Sequence, residues 1–125
     1  MKVSLASLLS KLPGPASTAF PGGRFAAEAF AHGTMTLEVH APRGEDAQDP
    51  YHQDRLFVVA SGRAATLSGD GTGAVGAGDA LLVEAGEAFR FAEMSDDFAA
   101  WVVSWGPEGG EAEAPSPSVF AAIDA

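Results

Sequence analysis

The stretch Asp49-Pro-Tyr-His-Gln-Asp-Arg-Leu-Phe-Val-Val-Ala-Ser-Gly62 joins a cluster of polar and titratable side chains to an apolar strand and a turn. A short apolar run rich in Val and Phe and closed by glycine reads as a buried strand, and the glycine supplies backbone angles that other residues avoid. A second stretch, Gly78-Asp-Ala-Leu-Leu-Val-Glu-Ala-Gly-Glu-Ala-Phe-Arg-Phe-Ala-Glu93, repeats the order of glycine, strand, turn and strand. Together the two predict one barrel with one pocket.

Outward from these stretches, short apolar runs broken by Gly, Pro and Asp predict strands near 24–31, 34–41, 54–60, 63–68, 79–84, 87–93 and 98–105. Ser68-Gly-Asp-Gly-Thr-Gly73 reads as turn chemistry. Val3, Leu5, Leu8, Leu9 and Leu12 recur at helical spacing until Pro13-Gly14-Pro15 stops them, so residues 3–12 read as a short amphipathic helix lying across the barrel or a partner subunit. The expected organisation is a helix and extended arm over 1–23, a barrel over 24–110 and a tail over 111–125. Val119 to Ile123 forms a small apolar terminus that either docks or stays loose.

At 125 residues there is room for one domain, and 46% hydrophobic against 19% charged residues is the composition of a folding chain. Seven Lys and Arg against seventeen Asp and Glu give a formal charge of −10, which repels phosphate backbones and anionic lipid surfaces. Neither nucleic acid nor a membrane is an expected partner. The absence of cysteine excludes disulfides, thiolate catalysis and cysteine-ligated metal. Serines and Lys11 interrupt the apolar run of the N-terminus, so it is a poor signal peptide, and the cytoplasm is the expected compartment.

The two glycine-bounded stretches resemble the motifs of the cupin superfamily, in particular small single-domain bacterial cupins of unassigned activity. The first motif of that family ends in an acidic ligand, six residues and a glycine, an interval matched by Arg55 to Gly62. In the second motif Gly78, Glu84, Gly86 and Phe89 stand at the glycine, proline, glycine and histidine positions. The flanks around Ala41 to Gly44, Ser95 to Phe98 and Gly106 to Gly110 extend the likeness over roughly 24–110. The resemblance implies an all-β fold, a cupin-type double-stranded β-helix or jelly-roll barrel carrying a short N-terminal helix. It also implies a degenerate metal site. The family's histidine pair falls at Asp49 and Tyr51, its glutamate at Arg55 and its later histidine at Phe89. Arginine has no available lone pair and phenylalanine has no donor atom, so no metal cofactor is expected at the usual centre.

A displaced divalent transition metal, held by His52, His40 and Asp49, is the alternative. Strand alternation speaks against it, because His52 has the opposite parity to Tyr51 and Arg55, which leaves His52 and His40 as rim residues. Arg55 either offers its fork to a carboxylate or phosphate ligand or forms an internal ion pair with Asp49, Asp54, Glu84 or Glu93. The expected pocket comprises Asp49, Tyr51, Gln53, Arg55, Phe57, Phe89, Phe91 and Trp101, the aromatic members either filling the core or lining a cavity. No catalytic arrangement of serine, histidine and acid is recognisable. The functional expectation is thus a metal-free barrel that binds a small organic, and by preference anionic, molecule without catalysis, as a homodimer. The alternatives are a metal-dependent dioxygenase or isomerase and a purely structural or protein-interaction dimer.

Overall fold

In a computed structural model that describes residues 1–112, one helix precedes eight antiparallel strands. The helix α1 is Leu5–Leu9, and the strands are β1 Ala26–His32, β2 Met35–His40, β3 Asp54–Ser61, β4 Arg63–Ser68, β5 Gly71–Gly76, β6 Ala80–Val83, β7 Phe89–Ala92 and β8 Ala99–Trp105. They form a five-stranded sheet in the order β1-β2-β8-β3-β6 facing a three-stranded sheet in the order β5-β4-β7. The apolar terminus Val119 to Ile123 and most of the tail lie outside the described residues.

Alternation along the strands divides the large sheet into two faces. The register places Arg55 opposite Ser104 and Val83, and Phe57 opposite Val102 and Leu81. Glu38 stands across the same Val102 and His40 across Ala100, so all these residues share the inward face. Phe57, Val59, Val83, Ala100 and Val102 meet Ala64, Val75, Phe89, Phe91 and Phe98 in the buried core. Phe57 lies edge-on to Phe91 with centroids 5.4 Å apart, and Phe89 and Phe91 meet at 5.0 Å.

The chain leaves the large sheet for the small one at Gly62. Its φ is +72°, and a Cβ built there would lie 2.7 Å from the Phe98 Cα and 2.5 Å from the Ser95 Oγ. Only glycine fits. This is the physical requirement behind the glycine that ends the first motif.

On the outer face, α1 begins at Ser4, whose hydroxyl caps the Ser7 N–H at 3.2 Å. Leu8 packs with Val39, Ala41 and Ala99, and Trp101 joins this outer cluster. The regular helix is shorter than the 3–12 expected from periodicity, because beyond Leu9 the chain tightens into Lys11 N–H to Leu8 C=O and Leu12 N–H to Leu9 C=O bonds before Pro13.

One expectation is corrected. The turn expected over Ser68–Gly73 is confined to Gly69 and Asp70; Gly71–Gly76 is a strand that pairs along the whole of β4, from Arg63 opposite Gly76 to Ser68 opposite Gly71. Its glycines hide the alternation that marks a strand, and at Gly73 a Cβ would stand 2.9 Å from the Thr66 Oγ1, so the close pairing itself calls for glycine.

Leu8 is 1% exposed and is the chief buried anchor of α1. Leu8→Ala is expected to lower the unfolding free energy by about 2–5 kcal/mol in urea titrations. A loss well under 1 kcal/mol would mean that α1 adds little to the barrel.

Candidate functional site

At the end of the sandwich where Glu38, His40, Arg55 and Ser104 replace apolar residues on the inward face, a cavity of about 550 Å³ opens. Its other walls are the arm from Ala19 to Ala26 and the loop from Pro42 to Tyr51. Both lack regular structure, so their shape comes from specific contacts. The Arg43 Nη1 lies 2.8 Å from the Phe98 carbonyl and 3.0 Å from those of Ala41 and Pro42, fixing the start of the loop. At its other end the Gly86 N–H donates to the Tyr51 carbonyl at 2.8 Å.

Between these ends Asp46, 3% exposed, turns its carboxylate into the barrel. Oδ2 accepts the backbone N–H of Phe91 from the opposite sheet at 2.8 Å and the Gln48 amide; Oδ1 accepts His40 Nε2 at 2.8 Å. Gln48 in turn offers Oε1 to the Arg55 Nη1 at 2.8 Å. A continuous polar chain therefore runs from β7 through Asp46 and Gln48 to Arg55, with His40 attached to its acid. Burial alone pushes the Asp46 carboxyl up, but the hydrogen bond and charge of His40, the Phe91 N–H and the Gln48 amide outweigh it and hold the group below its ordinary 3.8.

Arg55 is only 7% exposed. Its guanidinium carbon lies 5.2 Å from the Tyr51 ring centroid and 5.3 Å from that of Phe57. Nε and Nη2 are buried with no hydrogen-bond partner among the described residues. Burial draws this guanidinium below its ordinary value, against the opposing charges of Glu38, Tyr51, Asp46 and Glu87. Among the described residues no carboxylate pairs with it. The expected ion pair with Asp49, Asp54, Glu84 or Glu93 does not form; the ion pairs within 4.0 Å among the described residues are Arg24–Glu38 and His40–Asp46. Asp54 has the opposite parity and accepts the N–H groups of Ala85 and Glu111 at 2.9 Å, which hold its carboxyl below its ordinary value.

Of the residues expected in the pocket, Asp49, Tyr51, Arg55 and Phe57 line the cavity. Gln53, Phe89, Phe91 and Trp101 do not, each for its own reason. The Gln53 amide donates to the Thr34 and Gly106 carbonyls, Phe89 and Phe91 fill the core, and Trp101 faces the outer cluster under α1. His40 is a wall residue rather than a rim residue, with its side chain 17% exposed. His52 is exposed and stacks on Tyr51 with centroids 4.3 Å apart. The displaced set of His52, His40 and Asp49 is not assembled: among the described residues no three His, Asp or Glu groups converge. Asp46 and Gln48 escaped the sequence reading, since a loop has no periodicity to assign a direction to its side chains. A Glu-Asp-Ala-Gln run between Gly44 and Pro50 looks like solvated loop.

The comparisons with known proteins decide what this architecture is. A cupin superfamily protein from Desulfitobacterium hafniense superposes with a TM-score of 0.57 at 15% identity, covering 66% of this chain and 76% of its own. A Cupin 2 conserved barrel domain protein from Salinispora arenicola does so with a TM-score of 0.55 at 20% identity, covering 65% and 74%. The fold is the cupin barrel. A third structure, from Neisseria meningitidis, matches with a TM-score of 0.62 at 13% identity over 85% of this chain and the whole of its own. In sequence, an uncharacterized protein of Streptomyces coelicolor is 41% identical over 63 residues, a match spanning 50% of this chain and 60% of that relative. No family model matches.

A cupin barrel commonly implies a metal ion at its centre, and the residues here do not fit one. Phe89 packs its ring 5.3 Å from Phe57 at the position of a histidine ligand. At the glutamate position stands the Arg55 cation, which has no lone pair to give.

Because the folded chain binds the Asp46 proton less readily than the unfolded chain, this group stabilises the fold fully above about pH 4, and the contribution disappears as pH falls through the lower folded value. Urea midpoints taken from about pH 7 to about pH 3 should drop most steeply at the acid end. Asp46→Asn should begin about 1–3 kcal/mol less stable and show a shallower acid limb. Identical acid limbs in the two proteins would remove Asp46 as the responsible group.

Proposed function

We propose that this cupin barrel binds a small organic anion, a carboxylate or a phosphate ester, by Arg55 and without a metal ion. The observation that supports the reading is the pair of buried donors Nε and Nη2, which have no partner among the described residues. They share one edge of the planar guanidinium, and its two parallel N–H bonds match the two oxygens of a carboxylate or phosphate. Nη1, on the other edge, is held by Gln48 and keeps the plane from turning. A buried guanidinium with two unmet donors is costly in the unliganded protein, and a ligand that accepts from both removes that cost. Phe57 and Val102 supply apolar wall, the Tyr51 ring on the loop lies 5.2 Å from the guanidinium carbon, and because both donors are buried a neighbouring side chain has to move for a ligand to reach that edge.

The net charge of −10 argues against long-range steering of highly charged anions, so affinity for a monoanion rests on the local fork. Titration of wild-type protein with short monocarboxylates and with phosphate esters, followed by amide NMR, tests this. Binding is expected to shift Gln48 and Tyr51 signals and to fall about 10–100-fold in Arg55→Met, the equivalent of about 1.5–3 kcal/mol for a charge-assisted pair. Without ligand the same variant should be as stable as wild type or up to ~2 kcal/mol more so, since it removes an incompletely paired buried charge. Strong destabilisation together with unchanged binding would assign Arg55 a structural role instead.

A second reading concerns self-association, and a different surface supports it. Leu37, Val103, Leu56 and Leu82 form one outward row across four strands. None belongs to the cluster under α1, and Leu82 is 61% exposed. We propose that a second copy of the chain covers this row in a homodimer. Sedimentation analysis should give a dimer that Leu82→Lys converts to monomer; a wild-type monomer at all concentrations refutes the contact.

A further inference from the structure

The cavity holds a second reactive group that anion binding does not use. His40 projects from β2 into the wall with its ring 6.5 Å from Phe57 and 6.2 Å from Phe91, partly open to the cavity. Its Nε2 lies 2.8 Å from the carboxylate of Asp46, which is itself held by the Phe91 N–H and the Gln48 amide. An ionised carboxylate only accepts, so the Asp46 contact calls for a hydrogen on Nε2, and in the neutral imidazole that tautomer places the lone pair on Nδ1. A histidine oriented by a buried acid is the arrangement that serves general-base chemistry. The bland alternative is a polar fastener joining loop to barrel. A fastener explains Asp46 but not why an imidazole on the cavity wall ends the chain whose other end is the orphaned fork of Arg55. One Gln48 side chain spans the two groups, its Nε2 3.3 Å from the His40 ring and its Oε1 2.8 Å from Arg55.

We propose that the protein moves a proton on its ligand, with His40 as the base, Asp46 as its positioning residue and 2-oxo carboxylic acids as the substrate class. The inference rests on the anion-binding reading above: the carboxylate sits on the Nε and Nη2 edge of Arg55, His40 is linked to the same guanidinium through Gln48, which bonds Nη1, and the proposal requires the adjoining carbons to reach from that edge to His40. The 2-oxo group makes the hydrogens on C3 acidic enough for an imidazole to remove. The Nδ1 lone pair takes a C3 proton, the C–H electron pair becomes a C2–C3 double bond, and the carbonyl pair moves onto the C2 oxygen to give an enolate. Return of a proton from the imidazolium to C3 restores the acid, so the exchange needs neither oxidant nor co-reactant. Asp46 stabilises the imidazolium through Nε2–H without itself taking the proton.

The test is loss of C3–H signal in deuterated buffer, followed by proton NMR with pyruvate, 2-oxobutanoate and 2-oxoglutarate as probes. Wild-type protein is expected to exchange at least one of them ~100-fold faster than buffer alone, the contribution typical of a placed base. His40→Gln should return the rate to that of buffer. Asp46→Asn should lower it at least ~10-fold while the ligand-induced amide shifts persist, a separation of rate from binding that a mere fastener would not show. Amide spectra of both variants report whether the fold is retained, and His40→Asn provides a second base-free protein should His40→Gln unfold. Exchange no faster than buffer in wild-type protein that binds the probes overturns the proposal and leaves anion binding intact, as does undiminished exchange in a folded His40 variant. If monocarboxylates bind but none of the three 2-oxo acids does, the substrate class is refuted; if no anion binds through Arg55, both readings fall together.

Discussion

The site depends on one buried carboxylate. Asp46 is the point at which an irregular loop, the inward face of the large sheet and the backbone of the small sheet meet, through Gln48, His40 and the Phe91 N–H. Desolvating an acid is unfavourable, and it is tolerated here because each oxygen receives hydrogen bonds and a histidine stands beside it. Without that contact the loop would keep its Arg43, Gln48–Arg55 and Tyr51 bonds but lose its tie to the small sheet and to His40. The aspartate two residues from Gln48 thus helps to steady the amide whose oxygen holds Nη1.

The two sheets divide the work. Where Phe57, Phe89, Phe91 and Phe98 interlock, the sandwich is dry and closed. One row further along the same strands, Ser104 and Arg55 replace apolar residues, and the arm and loop close over them without filling the space. A barrel of this size either packs its interior or keeps room for one small ligand, and this chain does each at a different end. Arg55 sits at the boundary, its fork between the rings of Tyr51 and Phe57. At the position where cupins carry a carboxylate ligand this chain places a cation, and that exchange underlies the proposed preference for electron pairs over a metal ion.

Exposed acids and buried polar groups play separate parts. Most of the seventeen carboxylates face solvent, and Asp54 serves as a backbone clamp on Ala85 and Glu111. Among the described residues Arg55 has polar contacts where an ion pair would be ordinary, and its partnerless edge is the basis of the proposed anion site. The acid next to it in sequence, Asp54, is directed by the backbone to the other side of the strand.

Local physics made most of the strands, the strand-ending Gly62 and the shared parity of Tyr51 and Arg55 readable from the amino-acid order, because period-two alternation and the steric demand for glycine act within a few residues, while the inward direction of Arg55 and Phe89 came from the cupin resemblance. The cupin motifs added the assembly of those strands and the places where metal ligands are replaced. Tertiary structure alone decided that Gly71–Gly76 pairs as a strand, that Trp101 packs beneath α1, that Gln53 bonds outward and that Asp46 and His40 share a hydrogen bond. In each case the determining partner is distant in the chain, as Phe91 is from Asp46, or a loop turns a side chain by contacts that have no period. Sequence could place a cation in the pocket; only the packed molecule determined that two of its donors would lack a partner among the described residues.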